Sequence, residues 1–326
     1  MAADFWAQER TNRRQTRMMV AVFLLLYGVL GLGLDFLIGA LRLRDGSLHG
    51  FPVLTLGALI IGLIQALISY YGGASLVLAS VHARRLEPDN DQHRMVLNVI
   101  QEMTLAARMP PIKAYVMPDP APNAFATGRD PAHSYICVTQ GLIDQMDREE
   151  LQGVIGHEMA HIRNYDIRTM MMIAVMVGGI ALLADFVYYG GASSDDHDNE
   201  GGSLLLIAVV ILAVLAPILS QLLAMAVSRR REYLADASSV EFTRNPRALT
   251  RALERLAAIE TPIKNASRGT AHLFIINPLE GVKKEDKEGW LDNLLSTHPP
   301  LKSRIERLRA MGGEAPAAAA SVAAPA

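Results

Sequence analysis

The sequence contains almost no cysteine. Cys137 is the single cysteine among 326 residues, so an intramolecular disulfide framework and a zinc site built from cysteine ligands are both excluded. A chain without disulfides fits a reducing compartment. Cys137 itself lies in the apolar, strand-like segment 134–139, and we expect it to be a core residue.

The sequence also has little net charge. Its formal charge of −2 gives no reason to expect a nucleic-acid partner. Hydrophobic residues make up 51% of the chain and the mean hydropathy is +0.20, which is more apolar than a typical soluble domain. Charged residues still account for 20%, so part of the chain must lie outside any membrane.

Four apolar segments approach or exceed the length needed to cross a bilayer, namely 18–41, 52–80, 169–190 and 203–227. The first follows a group of arginines, Arg10 to Arg17, and is too long for the apolar part of a cleaved signal peptide. It is therefore predicted to be a retained signal anchor. The alternative is a set of buried helices in a soluble enzyme, but such helices are typically shorter and amphipathic.

The arginines predict the orientation of these segments. Arginines stand at the start of the first, the end of the second, the start of the third and the end of the fourth. The loop 191–202 has no lysine or arginine and carries several acidic residues. By the positive-inside rule, both termini and both polar regions are cytoplasmic. We therefore predict a multi-pass protein of the cell (inner) membrane with four transmembrane helices in the lipid bilayer.

The polar regions predict the domain organisation and an α+β fold class, mostly helical with a small β-sheet. The region 82–168 combines helical periodicity at 95–109 with strand-like segments at 112–117, 123–126 and 135–139. The predicted parts are a membrane anchor at 1–81, the first part of a cytoplasmic domain at 82–168, a transmembrane hairpin at 169–227, the second part of the domain at 228–312 and a disordered Ala-rich tail at 313–326.

Residues 157–161 read His-Glu-Met-Ala-His, an H-E-x-x-H pattern. On a helix, His157 and His161 are one turn apart, so two imidazole nitrogens face one side and are able to bind one Zn²⁺. Glu158 lies alongside as a possible base for a water molecule on the metal. Asp147, three residues before Glu150, predicts a capping box that begins this helix. The alternative is a pair of surface histidines on a helix.

A catalytic zinc usually takes three protein ligands and keeps one position for water. The candidate for the third is Glu232, which follows the fourth apolar segment, with Asp236 one helical turn later. This spacing suits a ligand followed by a carboxylate that accepts the second N–H of a metal-bound histidine. The alternative is an ordinary charged helix face paired with the preceding three arginines.

Four segments together resemble the HtpX membrane zinc metalloproteases, which are related to the CAAX prenyl endopeptidases. They are 123–128 (NAFATG), 156–166 (GHEMAHIRNYD), 231–237 (REYLADA) and 296–301 (STHPPL). The resemblance runs from the N-terminal anchor to about Met311. It implies a gluzincin-type metallopeptidase domain with one zinc per chain, bound by His157, His161 and Glu232.

The resemblance also implies roles for further residues. Glu158 is expected to be the general base and Asp236 to lie behind a histidine. His298 and Arg304 match family positions that contact the substrate or the oxyanion. The segment formed by Asn123, Ala124, Phe125 and Ala126 is expected to be an edge strand whose backbone pairs with an extended substrate. A plain core strand is the alternative for that segment.

The expected function is that of a membrane-bound zinc endopeptidase. The resemblance implies that it cleaves misfolded or damaged membrane proteins or unfolded polypeptides at the cytoplasmic face, in protein quality control and the stress response, beside other quality-control proteases. One alternative is a specific maturation or prenyl-protein protease with the same chemistry. Another is a membrane scaffold or transporter component with a vestigial metal site, which the intact motif residues argue against.

Overall fold

The structure is a computed structural model. It describes residues 5–37, 40–44, 47–176, 229–258, 263, 270–276 and 299–314. Most of the apolar segment 169–190, the loop 191–202, the segment 203–227, His298 and most of the tail 313–326 lie outside the described residues.

Two long antiparallel helices form the N-terminal part, α1 (Phe5–Leu37) and α2 (Val53–Ser80). A short hairpin joins them, with β1 (Leu41–Arg44) paired to β2 (Ser47–Gly50). The carboxylate of Asp35 accepts hydrogen bonds from the backbone N–H groups of Leu54 and Thr55 at 2.9 and 2.8 Å, and from the Thr55 hydroxyl at 2.7 Å. Asp35 therefore caps the start of α2, where helix N–H groups have no partner within the helix.

Within the described residues, two stretches are long and apolar enough to cross a membrane, Arg10–Phe36 of α1 and Val53–Ser80 of α2. They correspond to the first two predicted segments. Much of their apolar surface is exposed, for example Leu25 at 66% and Ile60 at 59%, which is unlike the helix core of a soluble enzyme. The other two predicted segments extend beyond the described residues, so four spans stay a prediction.

A four-stranded mixed sheet follows α2, with strand order β3-β4-β6-β5. Its strands are β3 (Arg84–Arg85), β4 (Lys113–Met117), β5 (Ala124–Asp130) and β6 (His133–Thr139). β4 and β6 are parallel, whereas β3–β4 and β5–β6 are antiparallel. β5 is thus one of the two outer strands of this sheet, and it contains the predicted strand residues Ala124, Phe125 and Ala126.

The remaining described elements are helices. They are α3 (Asp91–Ala106), α4 (Gln140–Gln145), α5 (Arg148–Arg163), α6 (described over 166–176), α7 (Arg229–Thr243), α8 (Pro246–Ala257), a 3₁₀ turn (Ala271–Leu273) and α9 (Leu301–Met311). The prediction of a mostly helical fold with a small sheet is confirmed. The predicted helix 95–109 begins earlier because Asn90 caps it, accepting from the N–H groups of Gln92 and His93.

The helix α5 lies at the centre of the domain, packed against α3, α7, α8 and the sheet. Small residues allow the close approach. A Cβ on Gly153 would lie 2.7 Å from the backbone nitrogen of Leu249 in α8, and one on Gly156 would lie 2.9 Å from Oγ of Ser239 in α7. The Ser239 hydroxyl donates to the Gly153 carbonyl at 2.7 Å. This contact fixes α7 beside the face of α5 that carries the histidines.

Candidate metal centre

The predicted capping box begins α5. The Asp147 side chain accepts from the N–H of Glu150 at 2.9 Å, and the Glu150 carboxylate accepts from the N–H of Asp147 at 3.0 Å. Glu150 is fully buried and accepts from Nε of Arg255 at 2.8 Å. The cap sets where the helix begins, which places His157 and His161 on the side that faces α7.

The structure brings His157, His161 and Glu232 together, and all three are buried. One ligand atom from each residue lies within 4.8 Å of the others. Nε2 of His157 is 3.2 Å from Nε2 of His161. Carboxylate oxygens of Glu232 lie 3.7 Å from Nε2 of His157 and 3.5 Å from Nε2 of His161.

These separations and this donor set fit a zinc ion. Two ligand atoms that are each about 2.1 Å from a tetrahedral zinc lie about 3.4 Å apart. The two Nε2 atoms, 3.2 Å apart, are close to that spacing, and each of them has a different Glu232 oxygen at 3.5 or 3.7 Å. Two neutral imidazoles and one carboxylate also form the ligand set of catalytic zinc sites that keep one position open.

A carboxylate holds the other ring nitrogen of each histidine. Nδ1 of His157 is 3.0 Å from an Asp236 oxygen, as the sequence spacing predicts for that residue. Nδ1 of His161 is 3.0 Å from an Asp166 oxygen. A hydrogen bond from Nδ1–H to a carboxylate fixes the tautomer that leaves Nε2 free to bind a metal. Both imidazoles therefore present Nε2 to the same point.

Asp166 received no role from the sequence, because it lies beyond the end of the motif helix. Helix α5 ends at Arg163, Asn164 caps it, the chain turns through Tyr165 at φ 61°, and α6 starts at Asp166. A left-handed residue between two helices redirects the chain, so the spacing from His161 to Asp166 does not follow helical periodicity. The one sequence feature that pointed to Asp166 was its position as an acidic residue directly before an apolar segment.

Two further residues contact Asp166. The Asn12 amide of α1 donates to one Asp166 oxygen at 2.6 Å and to the Asn164 carbonyl at 2.6 Å. Nη1 of Arg231 lies 3.7 Å from the same Asp166 oxygen. Both side chains are buried. Sequence reasoning missed Asn12 altogether, because it lies more than 150 positions from its partner and belongs to the apolar helix.

The electrostatics differ between the two histidines. Burial lowers the pKa of His157 to about 4, assisted by the nearby Arg304 charge and opposed by Asp236. For His161, burial also acts to lower the pKa, but the hydrogen bond to Asp166 and the charges of Glu232 and Asp166 outweigh it and raise the pKa to about 9. Negative charge around His161 is the same property that attracts a divalent cation.

Glu158 is buried beside the histidines and next to β5. Burial raises the pKa of its carboxyl to about 7; the charge of His161 lowers this pKa and the charge of Glu232 raises it. The carboxylate accepts a hydrogen bond from the backbone N–H of Ala126. The predicted base and the predicted substrate strand are therefore in direct contact.

Arg304 is fully buried in α9 and holds Asp236 with two hydrogen bonds. Its Nε and Nη2 donate to the two carboxylate oxygens of Asp236 at 2.9 and 2.6 Å. Its Nη1 donates to the Ile275 carbonyl at 3.3 Å and lies 3.6 Å from a Glu232 oxygen. The geometry thus places Arg304 behind the metal ligands, whereas the resemblance implied contact with substrate or oxyanion. His298, for which the resemblance implied the same kind of contact, lies outside the described residues.

The outer edge of β5 is partly covered by the segment 270–276. The N–H of Ile275 donates to the Ala124 carbonyl at 3.0 Å, and Phe125 forms a single antiparallel bridge with Phe274. The Asn123 amide donates to the Ile276 carbonyl at 3.0 Å. Asn123 therefore binds this segment of the chain itself, at the position where a substrate backbone was expected.

Comparison with known proteins gives the family. The model of "Peptidase family M48" matches residues 87–312. A protease HtpX homolog of Dictyoglomus thermophilum is 44% identical over 226 residues, covering 69% of this chain and 72% of that protein. A protease HtpX homolog of Lactobacillus acidophilus is 37% identical over 316 residues, covering 94% of this chain and 99% of that protein.

A solved structure is also similar. The crystal structure of S. mikatae Ste24p matches with a TM-score of 0.49 and 16% identity, covering 93% of this chain and 66% of that chain. The expectation of a protease with a metal-ion chemistry is confirmed by the family match and the HtpX relatives. The chain belongs to peptidase family M48 and is a membrane metalloprotease similar to the HtpX proteins.

Proposed function

We propose that this protein is a zinc endopeptidase that hydrolyses peptide bonds of misfolded or damaged membrane proteins at the cytoplasmic face of the cell membrane. One observation supports the chemistry above all others. The donor atoms of His157, His161 and Glu232 lie within 4.8 Å of one another, and a buried carboxyl, Glu158, lies against them. In this proposal one zinc ion is held by the three donors.

When bound, zinc lowers the pKa of a water molecule to about 7 and polarises a peptide carbonyl. Glu158 accepts the proton of the attacking water and passes it to the nitrogen of the leaving amine. Burial raises the pKa of the Glu158 carboxyl, which makes its carboxylate a stronger base for the first of these steps.

The carboxylates around the site position the metal ligands. Asp236 and Asp166 each accept from Nδ1 of one histidine and so keep Nε2 available. We assign Arg304 a positioning role, since two of its nitrogens hold Asp236 and its side chain is fully buried. The substrate or oxyanion role implied for His298 stays a prediction.

We propose that the substrate pairs as an extended strand with the part of β5 that begins at Ala126. The contact between Ala126 and Glu158 brings a backbone bound there next to the base. Main-chain pairing gives affinity with little dependence on sequence, which suits a protease that acts on many unfolded chains. For the segment 123–125, pairing with substrate requires displacement of residues 274–276.

The position of the site relative to the membrane helices supports a cytoplasmic location. The start of α1 contacts the metal domain through Asn12, and the end of α2 leads into β3. Arginines are concentrated at these two ends, among them Arg13, Arg17, Arg84 and Arg85, and positive charge marks the cytoplasmic side. A site held there is placed to cut the cytoplasmic loops of membrane proteins, in cooperation with other quality-control proteases.

The test uses the full-length protein reconstituted in lipid vesicles, with bound metal and cleavage of a membrane protein measured together. We expect about one zinc per chain, cleavage that a chelator abolishes, and a Glu158→Gln variant that keeps its metal but loses at least about 10²-fold in kcat. Glu149→Gln, an exposed carboxyl on the same helix, is the matched control. Equal cleavage by Glu158→Gln and the wild type would contradict the assigned base.

The substrate class has its own control. A stable membrane protein and a destabilised variant of it, with the same sequence in the loops, are offered to the same vesicles. We expect faster cleavage of the destabilised variant, at several sites. Equal rates, or one cut at one defined sequence in both, would favour a specific maturation protease.

A further inference from the structure

A cavity of about 530 Å³ lies where α1, α2 and α6 meet. Three of its lining residues are arginines, Arg13 and Arg17 of α1 and Arg168 of α6, and none of its described lining residues is acidic. Its volume is within the range of small-molecule sites. A cavity with three guanidinium groups and no carboxylate among its described walls favours an anion.

The contacts of Arg168 hold it in place without neutralising it. Its Nε donates to the Arg129 carbonyl at 2.6 Å. Its guanidinium lies 4.9 Å from the centre of the Tyr165 ring and 5.9 Å from that of Tyr70. A carbonyl and two aromatic rings are uncharged. These contacts therefore orient the Arg168 guanidinium group and leave its positive charge available to a ligand.

The cavity lies at the edge of the apolar surface of the membrane helices. Exposed apolar side chains begin at Met18 of α1, 45% exposed, and extend on α2 as far as Tyr71 and Leu76, at 68% and 47%. Arg13 and Arg17 stand just before this band on α1, whereas the partly buried Val20 and the buried Met172 form the apolar wall of the cavity. The cavity thus has a cationic part and an apolar part, aligned as the headgroup and acyl regions of a bilayer are.

We propose that this cavity binds the headgroup of an anionic phospholipid. The phosphate would accept hydrogen bonds from Arg17 and Arg168, because the guanidinium fork matches phosphate geometry, and Tyr70 lines the same cavity. The acyl chains would lie along Val20 and the exposed face of α1. Basic pockets between membrane helices bind lipid headgroups in this manner. The proposal rests on α1 and α2 crossing the membrane and does not depend on the protease activity.

The bound lipid would join α1 and α6, the two helices that contribute Asn12 and Asp166 to the support of the metal centre. Thr16, also in the cavity wall, bonds to the Asn12 carbonyl at 3.0 Å and lies 2.9 Å from the Thr169 hydroxyl. Asn12 in turn contacts Asp166. A headgroup that spans α1 and α6 therefore sits one helical turn from the contact that supports His161.

The test is native mass spectrometry of the full-length chain in detergent, titrated with an equimolar mixture of phosphatidylglycerol and phosphatidylcholine. We expect one phosphatidylglycerol retained per chain. Arg17→Gln and Arg168→Gln should each weaken its retention at least about ten-fold, the loss expected for a charge-assisted hydrogen bond. The matched control is Arg14→Gln, which removes the same charge from an exposed position of α1 outside the cavity wall and should retain the lipid as the wild type does.

Three results would overturn the proposal. Equal weakening by Arg14→Gln would show general attraction of the basic helix to an anionic surface. Equal retention of the two lipids would exclude recognition of the anionic headgroup. Displacement of the lipid by equimolar glycerol phosphate would identify a soluble phosphate ester as the ligand. Thermal unfolding checks that each variant is folded. If Arg168→Gln does not fold, the result for Arg17→Gln decides the test, because Arg17 is an exposed side chain whose replacement should not disturb the fold.

Discussion

Asn12 of the long apolar helix α1 donates a 2.6 Å hydrogen bond to Asp166, the carboxylate that holds Nδ1 of His161. Helix α1 is thus part of the support of the metal centre as well as a candidate membrane span. A neutral amide on one carboxylate oxygen leaves the other oxygen directed at the imidazole. This relationship joins the two parts of the molecule, since Asn12 lies in α1 and Asp166 starts α6.

Replacing Asn12 by Ala should lower activity without removing α1 from the membrane. Asp166 would lose a buried donor, its orientation toward His161 would loosen, and metal affinity should fall about ten-fold, at the low end of the range for residues behind metal ligands. Competition with a fluorescent chelator measures the affinity. Arg14→Ala, an exposed change on the same helix, is the control, and equal affinities for both variants would remove Asn12 from the support of the site.

Asp166→Asn should weaken metal binding more strongly than Asn12→Ala, by roughly 10- to 100-fold. The amide keeps the size of the side chain but no longer attracts the N–H of His161 with a negative charge. Asp236→Asn, the matching change behind His157, should give a loss of similar size. Metal affinity, from chelator competition, and kcat are compared for the two variants. If Asp166→Asn bound the metal with wild-type affinity, the Asp166 carboxylate would have no influence on His161 as a metal ligand.

Truncation of Arg304 should destabilise the fold as well as the site. Removal of one partner from a buried ion pair costs about 3–5 kcal/mol, because the other charge is left buried alone. Arg304→Ala should therefore lower both the unfolding temperature and the activity. The double variant Arg304→Met with Asp236→Asn should recover part of the stability but not the activity. Arg309→Ala, in the same helix but in an exposed pair with Glu254, should cost no more than about 1 kcal/mol.

Removal of the metal should lower the unfolding temperature, and zinc should restore it. A ligand present at about 1,000 times its Kd stabilises the folded state by about 4 kcal/mol. Glu232→Gln should lose most of this zinc-dependent stabilisation, since one of the three donors loses its charge. Differential scanning fluorimetry with and without zinc measures the difference. The same shift in Glu232→Gln as in the wild type would exclude Glu232 from the site.

Thiol labelling in intact cells tests the orientation. The native Cys137 is buried, and burial raises its pKa well above the ordinary range, so it should stay unlabelled. Phe51→Cys, at an exposed position before α2, should react with a membrane-impermeant maleimide from outside. Arg85→Cys, after α2, should react only once the membrane is opened. The reverse pattern would place the metal centre on the outer side.

The local part of the site was predictable from the sequence. The helix that carries His157 and His161 is set by its capping box and its spacing, and both are contacts within one turn. The strand segments were predicted from the alternation of apolar and polar residues, and the mostly helical fold from the helical periodicity of apolar residues. The bounds of α3 differ from the prediction, because Asn90 caps the helix before its apolar pattern begins.

The long-range part was not predictable in the same way. Glu232 was a candidate because its helix leaves an apolar segment, but its approach to the histidines depends on Gly153 and Gly156, which let α7 and α8 lie against α5. Asp166 lies after a left-handed turn, so no helical period places it under His161. Asn123 lies at the predicted strand but binds the segment 270–276, a contact that no local pattern encodes.

The sequence by itself indicated the chemistry, because two histidines one turn apart with a glutamate beside the first have few other uses on a capped helix before an apolar segment. The tertiary structure alone decided which groups support that chemistry. It placed Asp166 behind His161 through the left-handed turn at Tyr165. It also placed Arg304 behind Asp236 and Asn12 behind Asp166, because these two contacts join elements that meet only when α1, α6, α7 and α9 pack together. Spacing along the chain encodes contacts within a helix, whereas contacts between helices depend on how buried surfaces fit.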